Sequence, residues 1–456
     1  MLNSEVETTQ NSTGKKRKWK CVVCGEIFEG EFPPVPCPVC GAGKEEFIEV
    51  TEDTAVKEIS KDETYVIVGN GAAGYYSAAT IRKNNKAAII KIVSAENDLS
   101  YYRPQLSEYI SEDLETNKFY ISPKSWYEDN NIELLLGKKA IKTDAENKKL
   151  IFEDGESLSY DKLILACGSY NFIPDVKGSD LKGVYTLKFK SDADLIKAAI
   201  KSAKNAVVIG GGLLGLEAAW EMKVAGLNIS VVEFFPRLLP RQLDDEGAEI
   251  FKNIADNSGV KLVLGDSAEE ILSDENGSVK GLKLKSGKII DADLVLFSVG
   301  IRANTSLAKD SGIACNRGIL VNEKMETSAK DVFACGDVVE IDGKSFGTWP
   351  AAMEMGKIAG QNALGDSSAK LEHLVSSVMF RAMNADIFSA GDINFNDTSL
   401  KEYTFKAPEK GVYKKLYFKD GVIAGAILIG DTKKAAKVIG ALKKNAGENI
   451  AEEVLA

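Results

Sequence analysis

Residues Tyr65-Val66-Ile67-Val68-Gly69-Asn70-Gly71-Ala72-Ala73-Gly74 place an apolar strand, a glycine turn and a helix start in direct succession, with Ser77, Ala78 and Ala79 continuing the helix. In such a unit Gly69 permits the tight turn, Gly71 lets the backbone approach a pyrophosphate, and Gly74 lets helix and strand pack closely. The helix N-terminus then offers free N–H groups and a positive dipole end to phosphate. A lone G-x-G-x-x-G is a weak signal, but this chain carries the plan twice. Val207-Val208-Ile209-Gly210-Gly211-Gly212-Leu213-Leu214-Gly215 copies Val66 to Gly74, and Ala292 to Gly300 copies Tyr160 to Gly168. Two copies predict two nucleotide-binding domains.

Each copy points to a ribose-binding carboxylate at the end of its next strand. The first has Ile89 to Val93 followed by Ser94-Ala95-Glu96, and Glu96 is the candidate although Ser94 holds the usual position. The second ends at Val231-Val232-Glu233, 18 residues after Gly215. A carboxylate there accepts both ribose hydroxyls and repels a 2′-phosphate, favouring NADH over NADPH, with Arg237 the one neighbour that argues the other way. A distant strand, Asp331-Val332-Phe333-Ala334-Cys335-Gly336-Asp337, ends in Gly-Asp, so Gly336 allows close approach and Asp337 offers an acceptor. Arg103, in the loop Tyr101-Tyr102-Arg103-Pro104, is read as a pyrophosphate or isoalloxazine contact, the competing reading being a solvated surface arginine.

At 456 residues and 44% hydrophobic content, the chain has material for two to four cores. A net charge of −10 argues against a nucleic-acid partner. No apolar run is long enough to span a membrane, and Met1 to Thr13 lacks the apolar centre of a secretory signal, so a cytoplasmic location is expected. Four of the seven cysteines follow C-x2-C-x12-C-x2-C at Cys21, Cys24, Cys37 and Cys40. Two loops presenting two thiolates each build one tetrahedral four-sulfur site, suited to zinc or a single iron. Gly25 and Gly41 follow the second cysteine of each pair, where a turn aims N–H groups at sulfur. A segment of this size has too little core to stand alone, so the metal is expected to fold it.

Trp19 to Val50 resembles a rubredoxin, in the short form found at the end of rubrerythrins, through Lys20-Cys21-Val22-Val23-Cys24-Gly25, Cys37-Pro38-Val39-Cys40-Gly41 and Phe47. That resemblance implies a single iron held by four cysteine thiolates, and one-electron transfer. The segment between the cysteine pairs is shorter than in a full-length rubredoxin, which leaves zinc as the alternative metal. Residues 64 to about 365 resemble the pyridine nucleotide–disulfide oxidoreductase superfamily, through the two glycine turns and the Gly-Asp strand. This resemblance implies FAD held by Gly69, Gly71, Gly74, Glu96, Arg103, Gly168, Gly336 and Asp337. It implies NADH held by Gly210, Gly212, Gly215 and Glu233 in an inserted domain, with Glu217 near the nicotinamide. Arg103-Pro104-Gln105-Leu106-Ser107, Glu233-Phe234-Phe235-Pro236-Arg237 and Trp349-Pro350-Ala351-Ala352 are most similar to NADH:rubredoxin oxidoreductases and the flavin portion of NADH-dependent nitrite reductases.

The expected fold class is α/β, with two Rossmann-like three-layer domains, a small metal domain and a C-terminal α+β domain. The expected order is a disordered leader (1–15), the rubredoxin-like four-cysteine metal domain (16–50) and a linker (51–63). An FAD domain (64–180 and 301–345), an NAD domain (181–300) and the C-terminal domain (346–456) follow. As a flexible coil the linker would span roughly 20 Å, letting the small domain reach the flavin without being fixed to it. In relatives the C-terminal domain packs beside the flavin and often forms the dimer interface, leaving a homodimer open.

No C-x4-C follows the first turn and no cysteine lies between Tyr101 and Tyr109, so disulfide and sulfenate chemistry are not expected. Cys167, Cys315 and Cys335 read as small buried residues, and the lone His373 as a solvent-facing residue of the tail. Hydride transfer needs orientation rather than a base. NADH gives up two electrons together and a four-cysteine iron site takes one, so FAD is the adaptor between them. The expected route runs from NADH through FAD and the iron centre to an external protein such as a rubrerythrin, a flavodiiron protein or a free rubredoxin, in oxygen or peroxide defence. Two other readings stay open: a zinc ribbon serving as an interaction module on an NADH dehydrogenase, and an NADH oxidase reducing O2 at the flavin.

Overall fold

The strand Thr64–Val68 lies at the centre of a five-stranded parallel sheet, with Tyr65, Val66 and Ile67 fully buried. A strand covered on both faces needs an unbroken apolar run, and this one has it. The sheet order is Val332–Ala334, Lys162–Leu165, Thr64–Val68, Ile89–Ser94, Ile132–Leu136. The computed structural model describes residues 17–23, 25–35, 37, 42–50, 62–365, 368–372, 374–391 and 393–456. Cys24, Cys40, Gly41, His373, the leader at 1–15 and linker residues 51–61 therefore lie outside the described residues.

The second sheet repeats the first: Val184–Thr186, Leu294–Phe297, Asn205–Ile209, Asn228–Glu233, Lys261–Leu264, again all parallel. The repetition goes further than the glycine turns foretold. Each unit also carries a three-stranded antiparallel sheet, Ala140–Asp144 with Lys149–Phe152 and Ser157–Ser159 in one, and Ala268–Ser273 with Val279–Leu284 and Ile289–Asp291 in the other. A short antiparallel pair, Ser169–Asn171 with Ile301–Ala303, joins the two units where the chain passes between them.

Helix Ala72–Asn84 packs closely along helix Trp349–Ala363. A Cβ on Gly356 would lie 2.4 Å from the Ala73 carbonyl oxygen, so the small residues of both helices set this approach. Ala351, Met355, Ile358 and Ala359 belong to the core of the first sheet. The expected C-terminal domain start at 346 thus falls before a helix built into the first core. The separate five-stranded antiparallel sheet begins at Ser377–Ala382 and continues through Ala385–Gly391, Val422–Ile429, Val412–Lys419 and Lys401–Ala407. Asp244, the N-cap of helix Asp245–Asp256, fastens this sheet to the second nucleotide unit by accepting from Tyr413 Oη, Tyr417 Oη and Lys415 Nζ.

At the N-terminus, Arg17–Cys21 pairs antiparallel with Ile27–Gly30 and Phe47–Glu49. This unit is docked, in contrast to the loosely tethered domain expected. Cys21, Val23, Cys37, Ala42 and Phe47 share one buried cluster with Met379, Phe388, Phe418 and Leu428 of the C-terminal domain. The physical reason is size, because so short a segment buries its apolar side chains only by borrowing a neighbour's surface.

Candidate functional site

One cavity of about 880 Å³ brings together the residues expected to hold FAD except Gly74, while Gly210, Gly212, Gly215 and Glu233, expected to hold NADH, are not among its lining residues. It is lined by the first glycine turn (Gly69, Gly71), by Glu96 and Arg103, by Gly168, and by Gly336 and Asp337. Gly69 adopts φ +116°, and a Cβ there would lie 2.1 Å from the Ala166 carbonyl oxygen, so no other residue fits the turn. Gly74 is equally obligatory, since its Cβ would meet the Gly69 carbonyl oxygen at 1.9 Å. Gly210 and Gly215 repeat both contacts, Gly210 at φ +121° with a Cβ 2.2 Å from the Ser298 carbonyl oxygen. Gly212 has open space above it, the close-approach position the spacing called for.

Arg103 lies over the first turn, its Nε 3.6 Å from where a Gly71 Cβ would be. Its Nη1 donates to the Lys188 carbonyl at 2.8 Å, and its Nη2 pairs with Glu96 Oε1 at 2.5 Å. Arg103 is therefore a held residue of the cavity rather than a solvated arginine. Glu96 also accepts from Tyr101 Oη, while Ser94 Oγ, at the usual ribose position, accepts the Glu96 amide. Asp337 accepts from Ser169 Oγ at 2.9 Å and from Lys188 Nζ at 3.2 Å. Burial holds the Lys188 ammonium below its ordinary range, and Asp337 offsets part of this.

At the second turn, Glu233 is buried at the end of its strand. Its carboxylate accepts the Gly211 N–H at 2.5 Å and the Phe235 N–H at 2.8 Å, which fixes it beside the cradle. Arg237 pairs with Asp245 instead of turning toward Glu233. Glu217 lines the cavity together with Glu108 and Glu221. Burial, with Glu108 and Glu221 adding to it, pushes the Glu217 carboxyl up to about 8, so it is largely neutral at pH 7. Burial, with Glu221 and Glu112 adding to it, pushes Glu108 up to about 7.

The thiols outside the paired-cysteine motif are poor nucleophiles. Burial pushes both Cys167 and Cys335 up to about 12 and raises Cys315. Cys335 is fully buried, whereas Cys167 and Cys315 are half-buried, against the expectation of three core residues.

In the small domain, Cys21 and Cys37 are both buried, and their amides are satisfied in the same way. The Cys21 amide donates to the Glu26 carbonyl and the Cys37 amide to the Ala42 carbonyl, each five residues on and each at 2.8 Å. Such paired closures suit thiolate ligands, and the other two expected ligands, Cys24 and Cys40, lie outside the described residues. The Gly25 N–H donates to the Cys21 carbonyl oxygen, a use different from the sulfur contact anticipated. The first loop reaches the main cavity, where Val23 is a lining residue beside Trp349 and Ser377. Lys188, Ser169, Glu108 and Glu26 went unnoticed in the sequence because each sits outside any spaced motif.

A family model described as pyridine nucleotide-disulphide oxidoreductase matches residues 63–356. The chain belongs to this family. Further models, for the rubredoxin NAD+ reductase C-terminal domain and the rubrerythrin rubredoxin-like domain, match residues 377–446 and 19–48. Within the family, the NADH-rubredoxin oxidoreductase of Clostridium acetobutylicum is 33% identical over 378 residues, 83% of this chain and 94% of that protein. A nitrite reductase [NAD(P)H] of Bacillus subtilis is 37% identical over 382 residues, covering 84% of this chain and 47% of that one. This chain thus spans about half the length of the first curated relatives it matches. The solved structure of NADH:rubredoxin oxidoreductase from Clostridium acetobutylicum superposes with a TM-score of 0.71 at 32% identity, over 85% of this chain and 96% of that chain. These matches bear out the two Rossmann-like domains and the rubredoxin-like unit. No helix among the described residues is long and apolar enough to cross a membrane.

Proposed function

We propose that this protein is an NADH-dependent FAD oxidoreductase that passes electrons through its own rubredoxin-like centre to an external acceptor protein. One observation carries the reading: Val23, lying between Cys21 and Cys24, lines the same cavity as the first glycine turn and Asp337. FAD supplies the conversion between a hydride pair and single electrons. Gly69, Gly71 and Gly74 would cradle its pyrophosphate, with Arg103 above, Glu96 toward the ribose, Gly168 and Gly336 along it, and Asp337 at a ribityl hydroxyl. Gly210, Gly212, Gly215 and Glu233 would hold NADH, with Glu217 as a neutral carboxyl near the nicotinamide. Cys21, Cys24, Cys37 and Cys40 would hold the metal, iron being the choice that makes use of the shared cavity. A rubredoxin, a rubrerythrin or a flavodiiron protein suits the acceptor role, in the cytoplasm.

Anaerobic purification from the native host is expected to give FAD and about one iron per chain, read by visible spectrum and metal analysis. Stoichiometric zinc would reject the relay and favour an interaction module. Asp337→Ala is expected to weaken FAD retention by roughly tenfold, because a ribityl hydrogen bond and the partner of Lys188 go together. Unchanged flavin content after extensive dialysis would remove Asp337 from the site.

A further inference from the structure

Glu26 is a carboxylate of the small domain that has been carried into the interior of the large one. It is 5% exposed. Tyr76 Oη, from helix Ala72–Asn84, donates to the Glu26 carboxylate, and Trp349 Nε1 donates to Glu26 Oε2 at 3.4 Å. The Ile27 amide donates to Glu26 Oε1, and the Lys357 ammonium lies 5.2 Å over the Tyr76 ring, giving the buried charge a nearby cation. Neighbouring contacts run the same way. Ser377 Oγ donates to the Val23 carbonyl at 3.4 Å, and Met353 Cε lies 2.6 Å from where a Gly25 Cβ would be. Three consecutive described positions around the first cysteine loop, Val23, Gly25 and Glu26, are thus each met by a different side chain of the body.

Apolar burial alone would let the small domain slide on the C-terminal sheet. A buried carboxylate answered by two directional donors admits one arrangement, since any shift leaves a charge without partners. Glu26 and Tyr76 are not among the residues lining the main cavity and line a separate, smaller one, whereas Trp349 lines the main cavity itself.

We propose that the Tyr76–Glu26–Trp349 contact is a clamp that holds the first cysteine loop in one pose at the mouth of the flavin cavity. Glu26 is its positioning residue. In this pose Val23 of the loop lines the cavity beside Trp349 and Ser377, so a protein acceptor is met by the small domain while the cavity stays accessible to small dyes. The purpose of the clamp rests on the electron-relay reading, but its existence is tested independently of that reading.

Hydrogen–deuterium exchange of the full-length protein tests it. Tyr76→Phe removes one hydroxyl from the body side and touches no cysteine loop. Amides of residues 19–30 are expected to exchange about tenfold faster in Tyr76→Phe and in Glu26→Leu, while Glu26→Gln, which still accepts from both donors, stays near the parent. Metal and flavin content are expected to be unchanged in Tyr76→Phe, ferricyanide reduction by NADH to keep its rate, and turnover with a protein acceptor to fall. Parental exchange in both Tyr76→Phe and Glu26→Leu would overturn the clamp. Faster exchange seen only in Glu26→Leu and only with metal loss would overturn it too, by tracing the effect to the cysteine site. Zinc in the four-cysteine site would sink the relay reading while leaving the exchange pattern, so the two failures are distinct.

Discussion

The Cys37→Ser protein is expected to keep the parental rate of anaerobic FAD reduction by NADH and to lose turnover with its final acceptor protein, to about a hundredth or less. Cys37 is a buried member of the cluster that joins the small domain to the C-terminal sheet, and Ser nearly conserves its volume. The substitution therefore removes one thiolate from the four-sulfur set with little change in packing. The second glycine turn is untouched, because the strand residues that flank it, Ile209 and Val232, pack in a core that shares no residue with the cluster holding Cys37. An NADH oxidase acting at the flavin would instead keep its O2 consumption as the main activity. A zinc ribbon would lose partner binding while dye reduction continued. Undiminished turnover at saturating acceptor, with metal loss confirmed and no free rubredoxin added, would sink the relay.

The second large effect lies in cofactor choice. NADH is expected to outperform NADPH in kcat/KM, and Glu233→Ala to lower the NADH value by roughly 10- to 100-fold, the loss associated with hydrogen bonds to a charged group. Glu233 is already oriented by the Gly211 and Phe235 amides, so its carboxylate reaches the ribose side of the turn without reorganisation. The Gly211 and Phe235 amides each donate to a different oxygen of Glu233, so Glu233→Gln keeps an acceptor for one of them and removes the charge. It should therefore raise NADPH use relative to NADH more than Glu233→Ala, which frees both amides, and the comparison of the two variants separates repulsion of a 2′-phosphate from loss of the loop's hydrogen bonds. Equal values for the two cofactors in the parent protein would show that Glu233 does not read the ribose.

Both predictions begin from residues that the sequence alone exposes. The two glycine turns, the Gly-Asp strand and the paired Cys-x2-Cys loops are local chemistry. Their function depends on a spacing of a few residues, and backbone geometry ties that spacing to one shape. Gly69 and Gly74 illustrate this, because their missing Cβ atoms are required by contacts within their own β-turn-α unit and its neighbouring strand. The antiparallel sheets that complete each nucleotide unit left no comparable mark, being ordinary alternating strands. The ion pair of Arg103 with Glu96 and the meeting of Lys188, Ser169 and Asp337 depend on side chains from far apart in the chain. Such contacts impose no period on the sequence. The C-terminal boundary went the same way: helix Trp349–Ala363 reads as part of the tail, and only its packing on Ala73 and Ser77 assigns it to the first core. The docking of the small domain is the clearest case. The sequence determined that four thiolates form one site and that the segment has too little core to stand alone, and tertiary structure decided where it finds the missing surface. Glu26 carries no motif, and its significance comes entirely from Tyr76 and Trp349, 50 and 323 residues away, whose donors are what make its burial tolerable.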